Sequence, residues 1–415
     1  MNNYPKELIQ IVKEVNNLIA PKLAELDEQV VYNQAKVLET YKHASVAEAD
    51  LKGTNGYGDD DTGRDKLEQI FAEVFQTEAA LVRPQFVSGT HTLATAMKGN
   101  LQAGDTLTYL TGMPYDTLQT VIGLTPHKQG TLMQRGIKFS YVPLKNNQVD
   151  YQAAKEILLR DKPKMVAIQR SKGYSTRPSY NVEQIKEMIA FVKEVLPSAI
   201  VFIDNCYGEF SEKHEPTEYG ADLMAGSLIK NGGGGIAKTG GYIVGKKQLV
   251  ENATYELLAP GCEEEGATLT NMQDFLQGFF IAPNTVVNAI KGMVFSSALL
   301  EKMGLEVAPR WDAVRTDLIQ NIIFHDPEKM VKFAKELQKN SPVDSFVDPV
   351  PYNMPGYEDK VVMAAGTFVS GSTIEFSADG PIREPYALYM QGGLTYAHVK
   401  IAVMNAVNEL FFKKV

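Results

Sequence analysis

The clearest chemistry in this sequence comes from an aspartate and a lysine between residues 199 and 241. An apolar run at 199–203 ends in Asp204, and Lys230 stands shortly before four glycines at 232–235. A lysine amine forms a Schiff base with an aldehyde cofactor, and a carboxylate can keep a proton on a pyridine nitrogen. Ser227 is short and hydroxylated, which suits a phosphate oxygen. The pattern therefore predicts a pyridoxal phosphate (PLP) site, with Lys230 as its amine and Asp204 as its pyridine partner.

Each of these residues also has an ordinary explanation. Aspartates commonly end strands, and lysines are mostly solvated surface residues. The glycines invite a nucleotide-loop interpretation, because residues 232–239 read Gly-Gly-Gly-Gly-Ile-Ala-Lys-Thr. However, Ala237 stands where that motif requires glycine, and Gly240 follows where the motif requires a helix. The sequence therefore favours the PLP interpretation.

A second candidate anion site lies upstream, at Ser88-Gly89-Thr90-His91. These residues begin a predicted helix at 90–101, and backbone N–H groups at a helix N-terminus bind anions. An ordinary helix cap is the alternative explanation. Because Asp204 and Lys230 occur downstream, we expect the cofactor phosphate to bind here.

Tyr115 is the candidate for stacking on the cofactor ring. It lies in a predicted loop after a strand at 106–110, and an aromatic side chain offers a planar ring a face to stack on. His91 competes for this role. A loop tyrosine packed against the surface is the structural alternative.

Four further residues are candidate anion ligands: Tyr57, Arg64, Arg170 and Arg383. Tyr57 and Arg64 flank three aspartates at 59–61, which resemble a hard-cation site but fit a solvated acidic loop better. Arg170 ends a predicted strand at 165–168 and is either an anion ligand or a surface charge. Arg383 lies among glycine and proline and is either a carboxylate ligand or the partner of Glu384 in a surface ion pair.

The bulk composition excludes several classes of protein. The net charge is −9 and no long Lys/Arg cluster occurs, which argues against nucleic acid or an anionic membrane as a partner. No apolar run is long enough to span a bilayer, and residues 1–7 lack a signal-peptide core. Two cysteines fit a reducing cytoplasm. The histidine spacing does not indicate zinc, and we expect no metal.

The pattern of elements predicts an α/β fold with a mainly parallel sheet. The 415 residues of the chain are more than a single hydrophobic core usually holds. We therefore divide the chain into an N-terminal helical arm at 1–63, a large domain at 64–300 and a smaller α/β domain at 301–415. Helices alternate with strands in the large domain, as in sheets covered on both faces. The predicted large-domain strands are 80–82, 106–110, 139–142, 165–168, 200–204 and 242–244. In the small domain we predict helices at 331–338 and 396–411 and strands at 361–365 and 373–376.

Three longer strings carry a family resemblance. They are Val82-Arg83-Pro84-Gln85-Phe86-Val87-Ser88-Gly89-Thr90-His91, Ser227-Leu228-Ile229-Lys230-Asn231 and Met390-Gln391-Gly392-Gly393-Leu394-Thr395. They resemble the cystathionine β-lyase-like family often labelled aluminium resistance protein, a branch of the fold-type I PLP enzymes of cysteine and methionine metabolism. The resemblance runs from about Lys36 to the C-terminus.

The resemblance implies a role for most candidate residues. Lys230 becomes the Schiff-base lysine, Asp204 the pyridinium partner and Tyr115 the stacking ring. Phosphate would be held by Ser88, Gly89, Thr90 and Ser227. Tyr57 and Arg64 would reach a neighbouring subunit's site. This chain departs from the better-known lyases at Ile229, where they carry threonine, and in the separation of Tyr57 from Arg64.

The reaction that the resemblance implies is elimination from a sulfur-containing amino acid, at the β or γ carbon. Arg383 would hold the substrate carboxylate. Transamination and γ-replacement use the same cofactor and remain alternatives, and a protein that binds PLP or another ligand without turnover is a third. Because Tyr57 and Arg64 would need a partner chain, we expect a homodimer or homotetramer.

Overall fold

The computed structural model describes residues 4–173, 175, 177–262, 265–266, 271–354 and 359–413. The chain forms two compact units, one continuous at Gln34–Phe280 and the other combining Met1–Asn33 with Ile281–Val415. These units are defined by spatial proximity alone, so they do not test the predicted domains at 1–63, 64–300 and 301–415, which stay a prediction.

Helices and strands alternate along much of the described chain. The α-helices are α1 (Lys6–His43), α2 (Thr62–Val74), α3 (Gly89–Asn100), α4 (Asp116–Ile122), α5 (Tyr151–Asp161), α6 (Val182–Val195), α7 (Lys247–Leu257), α8 (Met272–Lys302), α9 (Pro327–Lys339) and α10 (Tyr396–Val407). The strands are β1 (Ala79–Arg83), β2 (Thr106–Tyr109), β3 (Lys138–Tyr141), β4 (Leu144–Lys145), β5 (Gln148–Val149), β6 (Met165–Gln169), β7 (Ile200–Asp204), β8 (Leu223–Ser227), β9 (Gly241–Gly245), β10 (Glu306–Ala308), β11 (Ile319–Ile323), β12 (Val361–Ala364), β13 (Ser377–Pro381) and β14 (Ala387–Gln391).

A seven-stranded sheet lies in the unit Gln34–Phe280, in the order β1-β9-β8-β7-β6-β2-β3. Strands β2, β3, β6, β7 and β8 pair in parallel, and β9 pairs antiparallel with both neighbours. Every residue of β6, β7, β8 and β9 is buried, which is typical of strands covered on both faces. The predicted α/β class with a mainly parallel sheet is confirmed. Residues that follow β6, β7 and β8 meet at one sheet edge.

Helix caps fix where two helices of this unit begin. Ser88 caps α3 by accepting the backbone N–H of His91 at 3.0 Å. Asn181 and Gln184 form a capping box at the start of α6, so that two free N–H groups are satisfied reciprocally. The caps Ser88 and Asn181 thus begin α3 and α6, and α3 begins within one residue of its predicted position.

The other unit contains an antiparallel sheet in the order β10-β11-β14-β13-β12, with α9 packed against it. The predicted strand at 361–365 is present as β12, but the prediction of a strand at 373–376 is wrong. The strand lies instead at Ser377–Pro381, a segment with the weak strand formers Asp, Gly and Pro. A side chain at Gly380 would collide with the backbone of Ala387. Close packing in the sheet therefore overrides local preference.

The described helices have no membrane-spanning candidate, since none combines sufficient length with sufficient apolar character.

Candidate active site

Asp204 is the last residue of β7 and lies between the ends of two parallel neighbours. Its register partners are Gln169 in β6 and Ala225 in β8. The side chain is buried and accepts the backbone N–H of Cys206 at 3.1 Å. Burial raises the pKa of this carboxyl, and the positive charge of Lys230 opposes the rise. A cationic ligand group beside Asp204 would further stabilise its charged form.

Lys230 follows β8 and precedes a 3₁₀ turn at Asn231–Gly233. Its Nζ lies over the Tyr207 ring, 4.0 Å from the ring centroid. Burial acts to lower the pKa of this amine, but four acidic groups outweigh burial and raise the pKa. These groups are Cys206, Tyr207, Tyr115 and Asp204. Because tyrosine and cysteine are ordinarily neutral at pH 7, Asp204 is the member of this group that can supply a full negative charge to Lys230.

Two glycines allow the lysine loop to pack tightly. A Cβ at Gly233 would collide with the Leu228 carbonyl, and a Cβ at Gly226 would collide with the Glu209 carboxyl group. Glycine is therefore required at these positions by close backbone approach. Gly233, one of the four glycines that invited a nucleotide-loop interpretation, thus serves the packing around Lys230.

Ser227 and the first turn of α3 lie together, although they are far apart in sequence. A Cβ at Gly89 would stand 3.2 Å from Ser227 Cβ and 3.6 Å from Cys206 Sγ. The Ser227 hydroxyl is buried and has no hydrogen-bond partner in the described part of the chain. A buried hydroxyl without a partner is costly, and a helix N-terminus attracts anions. The two elements together can accommodate a phosphate group.

Tyr115 is the residue before α4. It lies beside the phosphate cup, the site formed by Ser227 and the first turn of α3. Its hydroxyl is 3.3 Å from Thr90 Oγ1, and its backbone N–H donates to Gln169 Oε1 at 3.1 Å. Burial raises the pKa of the Tyr115 phenol, and the charge of Asp204 raises it further. Tyr115 therefore interacts with both Thr90 and Asp204.

His91 is engaged locally. Its Nδ1 accepts the Val87 backbone N–H at 3.3 Å, and its ring packs edge-on against Phe86. Burial lowers the pKa of the imidazole, and Lys98 adds to this effect. These contacts favour a neutral ring, and they leave Tyr115 as the better placed stacking candidate.

Arg170 lies at the carboxyl end of β6, but its guanidinium is turned inward. It donates to Asn205 Oδ1 at 2.8 Å and Ser211 Oγ at 3.2 Å. Two carboxylates also bind it, Glu212 at 2.7 Å and Glu215 at 3.4 Å. The guanidinium is fully buried, an arrangement that favours a role in fixing the loop after β7 over contact with a substrate.

Tyr57 and Arg64 differ in their exposure. The Tyr57 side chain is exposed, at 73% of its possible area, which suits a contact with another chain. Arg64 is buried and donates to the Gly58 carbonyl at 2.8 Å, to Asp65 at 3.0 Å and to the Glu265 carbonyl at 3.1 Å. The Arg64 guanidinium is therefore occupied within its own chain.

Arg383 belongs to the unit that contains Ile281–Val415 and follows β13. Its guanidinium donates to Asp359 at 3.2 Å, so Asp359 takes the place of Glu384 as its ion-pair partner. Both side chains are largely exposed. A surface pair of this kind is weak.

Two further residues near Lys230 had no role in the sequence-based prediction. Tyr207 contacts Lys230 Nζ, and Asn231 Nδ2 donates to the carbonyls of Tyr207 and Glu209. Asn231 directly follows Lys230, and Tyr207 lies three residues after Asp204. The only available signal was that proximity, because ring and amide side chains occur in most loops.

Comparisons with known proteins agree with this geometry. The family model described as methionine gamma-lyase matches residues 8–411. YnbB of Bacillus subtilis is 50% identical over 404 residues, covering 97% of this chain and 96% of that protein. The crystal structure of a candidate cystathionine beta-lyase involved in aluminum resistance from Listeria monocytogenes is 51% identical, with a TM-score of 0.95, over 97% of this chain and 99% of that one. A carbon-sulfur lyase involved in aluminum resistance from Clostridium novyi is 42% identical, with a TM-score of 0.94, over 98% and 97% of the two chains.

A more distant structure shares the fold. The pyridoxal-5'-phosphate dependent protein YhfS of Escherichia coli is 15% identical with a TM-score of 0.63, over 94% of this chain and 97% of that one. The predicted fold-type I architecture is thereby confirmed, as is the predicted kinship with cystathionine beta-lyase-like proteins named for aluminum resistance. The chain belongs to the methionine gamma-lyase family.

Proposed function

We propose that this protein is a PLP-dependent carbon–sulfur lyase that acts on a sulfur-containing amino acid. The observation that carries the proposal is the meeting of Asp204, Lys230 and Ser227 at the carboxyl ends of two adjacent strands, with Ser227 against the first turn of α3. The names of the relatives support the same reaction class.

The residues of this site fit PLP. Ser227 offers a buried hydroxyl without a partner, and Ser88, Gly89 and Thr90 form the start of a helix that favours a phosphate. Asp204 would pair with the pyridine nitrogen, and Tyr115 would stack on the ring. When bound, PLP supplies an electron sink next to the substrate amine.

Lys230 would carry the proton transfers. Its amine would take the proton from the substrate Cα as a general base. The C–S bond then breaks, sulfur leaves with the bonding electron pair, and a proton delivered to it gives a free thiol. Hydrolysis of the remaining fragment gives ammonia and a 2-oxo acid. Asp204 would hold the opposite end of the cofactor in its charged form.

Arg383 is proposed to bind the substrate α-carboxylate. A guanidinium grips a carboxylate through two parallel hydrogen bonds, whereas lysine offers only a point charge. The weak surface pair with Asp359 can be exchanged at little cost.

We further propose that the protein works in the cytoplasm as a homodimer or homotetramer, with an amino acid as its small-molecule partner. Both cysteines are free, Cys206 buried and Cys262 exposed, which fits a reducing compartment. The exposed ring of Tyr57 supports an intersubunit contact. Light scattering of the parent and of Tyr57→Ala tests the assembly, and a monomeric parent would contradict it.

The decisive assay mixes the purified, PLP-loaded protein with cystathionine, cysteine or methionine. We expect a 2-oxo acid together with a free thiol, and neither product from Lys230→Ala. Oxo acid without thiol would indicate transamination. A new thioether formed only when an external thiol is added would indicate γ-replacement. Neither product, with the visible cofactor band unchanged, would indicate a protein that binds without turnover.

A further inference from the structure

Tyr207 is a residue of the Lys230 site for which the proposed mechanism has no role. It lies three residues after Asp204, and its ring centroid is 4.0 Å from Lys230 Nζ. An ammonium group over the face of an aromatic ring is attracted by the negative charge of that face. Tyr207 thus touches the one atom that the proposed function makes reactive.

The backbone at Tyr207 is held in a conformation that tyrosine rarely adopts. Its φ is 72°, in the left-handed region that favours glycine and asparagine. Such a conformation persists where the surroundings fix it, and it is concentrated at functional sites. With this backbone conformation, the Tyr207 ring lies against the lysine amine.

Asn231 fixes this geometry. The side chain is buried, and its Nδ2 donates to the carbonyl oxygens of Tyr207 and Glu209, each at 2.9 Å. Because Asn231 directly follows Lys230, a single amide group joins the segment with the ring to the segment with the amine. The position of the ring relative to Lys230 is thereby specified.

The same segment is anchored to the sheet through Glu209. The Glu209 carboxyl accepts the phenol proton of Tyr242 at 2.6 Å, and both residues are fully buried. Tyr242 belongs to β9, so the segment 205–209 is attached both to the strand before it and to a strand beyond the lysine loop. Two independent contacts therefore position Tyr207.

The titratable groups around the amine belong to several elements. The groups that act on Lys230 are Asp204 at the end of β7, Cys206 and Tyr207 after it, and Tyr115 before α4; Glu209 also interacts with it. Asp204 provides the long-range attraction. Tyr207 is the one whose ring is in face contact with Nζ.

We propose that Tyr207 is a further active-site residue, whose ring face binds the Lys230 nitrogen and favours its protonated form. The inference rests on the proposed function, in which this nitrogen carries the cofactor and receives the substrate proton. The nitrogen is protonated when it carries the cofactor, and it becomes protonated when it takes the substrate proton; a ring face stabilises both protonated states without forming a competing hydrogen bond.

The test compares Tyr207→Phe, which keeps the ring, with Tyr207→Leu, which removes it at the same backbone conformation. Each PLP-loaded protein is titrated with pH, and the visible absorbance band of lysine-bound PLP is followed. We expect Tyr207→Phe to keep the parent's midpoint and Tyr207→Leu to lower it by roughly 0.4 to 1.5 pH units, the equivalent of a cation–π contact. If Tyr207→Leu does not fold, Tyr207→Asn replaces it, because asparagine tolerates positive φ.

The outcomes are separable. If both variants keep the parent's midpoint and the band is present in both, the role of Tyr207 is overturned and the proposed function stays intact. A shift in the phenylalanine variant as large as that in the leucine variant would also overturn it, because the hydroxyl would then be responsible. A parent protein without any lysine-bound band would remove the cofactor proposal itself, and the role of Tyr207 with it.

Discussion

Gly89, the first residue of α3, lies directly against Ser227, the last residue of β8: a Cβ at position 89 would stand 3.2 Å from Ser227 Cβ. This approach is tighter than ordinary van der Waals contact. It places the start of a helix beside a buried hydroxyl that has no partner among the described residues. The proposed phosphate cup depends on this approach.

Ser227→Ala is expected to separate folding from cofactor binding. The free energy of unfolding without cofactor should stay the same or rise, because an unpaired buried hydroxyl is removed. The dissociation constant for PLP should rise roughly ten- to hundredfold, since a hydrogen bond to a charged group is lost. Chemical denaturation and equilibrium dialysis measure the two quantities.

Ser296→Ala is the matched control for this prediction. Ser296 is also buried, but its hydroxyl donates to the Gly292 carbonyl at 2.7 Å. Its removal should lower stability by about 1 kcal/mol and leave PLP affinity unchanged. Equal effects of the two substitutions on PLP binding would contradict the cup.

Lys230→Ala should abolish covalent attachment of PLP and all turnover while the fold persists. Cofactor should still bind reversibly, because the contacts proposed for its phosphate do not involve the lysine. Borohydride reduction followed by peptide mass spectrometry locates the attachment. Lys238→Ala is the control, since Lys238 is exposed and paired with Asp274 at 2.9 Å. Label remaining on Lys230→Ala but lost from Lys238→Ala would identify Lys238 as the anchor.

Arg383→Ala should raise the Michaelis constant for the amino-acid substrate roughly ten- to hundredfold, from the loss of a charge-assisted hydrogen bond. PLP loading should hardly change. Arg310→Ala is the control: Arg310 has the same side-chain exposure of 57% and is also paired with carboxylates. If Arg170→Ala shows the larger binding defect and Arg383→Ala behaves like the parent, the carboxylate is bound in the other unit.

Arg170 and Arg315 are both buried but should respond differently to substitution by methionine. Arg170→Met removes the guanidinium that pairs with Glu212 and Glu215, and breaking such a buried pair should cost about 3 to 5 kcal/mol. Arg315 donates only to neutral oxygens within the described residues, of Pro309, Arg310 and Gln320, and its Nε and Nη1 have no acceptor there. Burial lowers the pKa of this guanidinium to about 10, although Asp317 opposes the change.

We therefore expect Arg315→Met to cost at least about 2 kcal/mol less than Arg170→Met, because it removes a poorly paired charge. Urea denaturation of both variants measures the difference. Equal losses would show that Arg315 is as well compensated as Arg170.

Glu209 should make stability depend on pH. Burial raises the pKa of its carboxyl from 4.5 to about 8. The folded state therefore holds a proton that the unfolded chain releases, so this contribution is complete below 4.5 and is lost as the pH rises through about 8. Glutamine resembles the neutral acid and can still accept from Tyr242.

The expected result is that Glu209→Gln gains stability relative to the parent as the pH rises from about 5 to about 9. Thermal melting across this range measures the gain. Glu328→Gln, at an exposed position in the first turn of α9, provides the control and should follow the parent. A difference between Glu209→Gln and the parent that is constant with pH would sink this account.

The central elements of the site were predictable because their sequence signals are local. A continuous apolar run before Asp204 indicates a buried strand, and Ser88 before a helical pattern indicates a cap. The environment of Arg170 was not predictable. Its carboxylate partners lie more than forty residues downstream, and their proximity depends on the path of the chain after β7.

Other features that the sequence did not predict also depend on contacts between distant parts of the chain. The strand at Ser377–Pro381 contains residues that disfavour strands, and it forms because neighbouring strands and close packing require it. Tyr207 has no local pattern that distinguishes it from any loop tyrosine. Its role becomes visible through a backbone angle and through the amide of Asn231, both of which are properties of the folded chain.

Ser227 pairs with Gly241 across β8 and β9, so the segment that carries Lys230 leaves and re-enters the sheet at adjacent points. The two ends of this segment are held by the pairing of β8 with β9, and the reach of the amine is set largely by the length of its own carbon chain. A lysine placed at position 229 or 231 would consequently be no substitute for Lys230. A cysteine at 230 alkylated to an aminoethyl thioether, which restores nearly the same length, would be one.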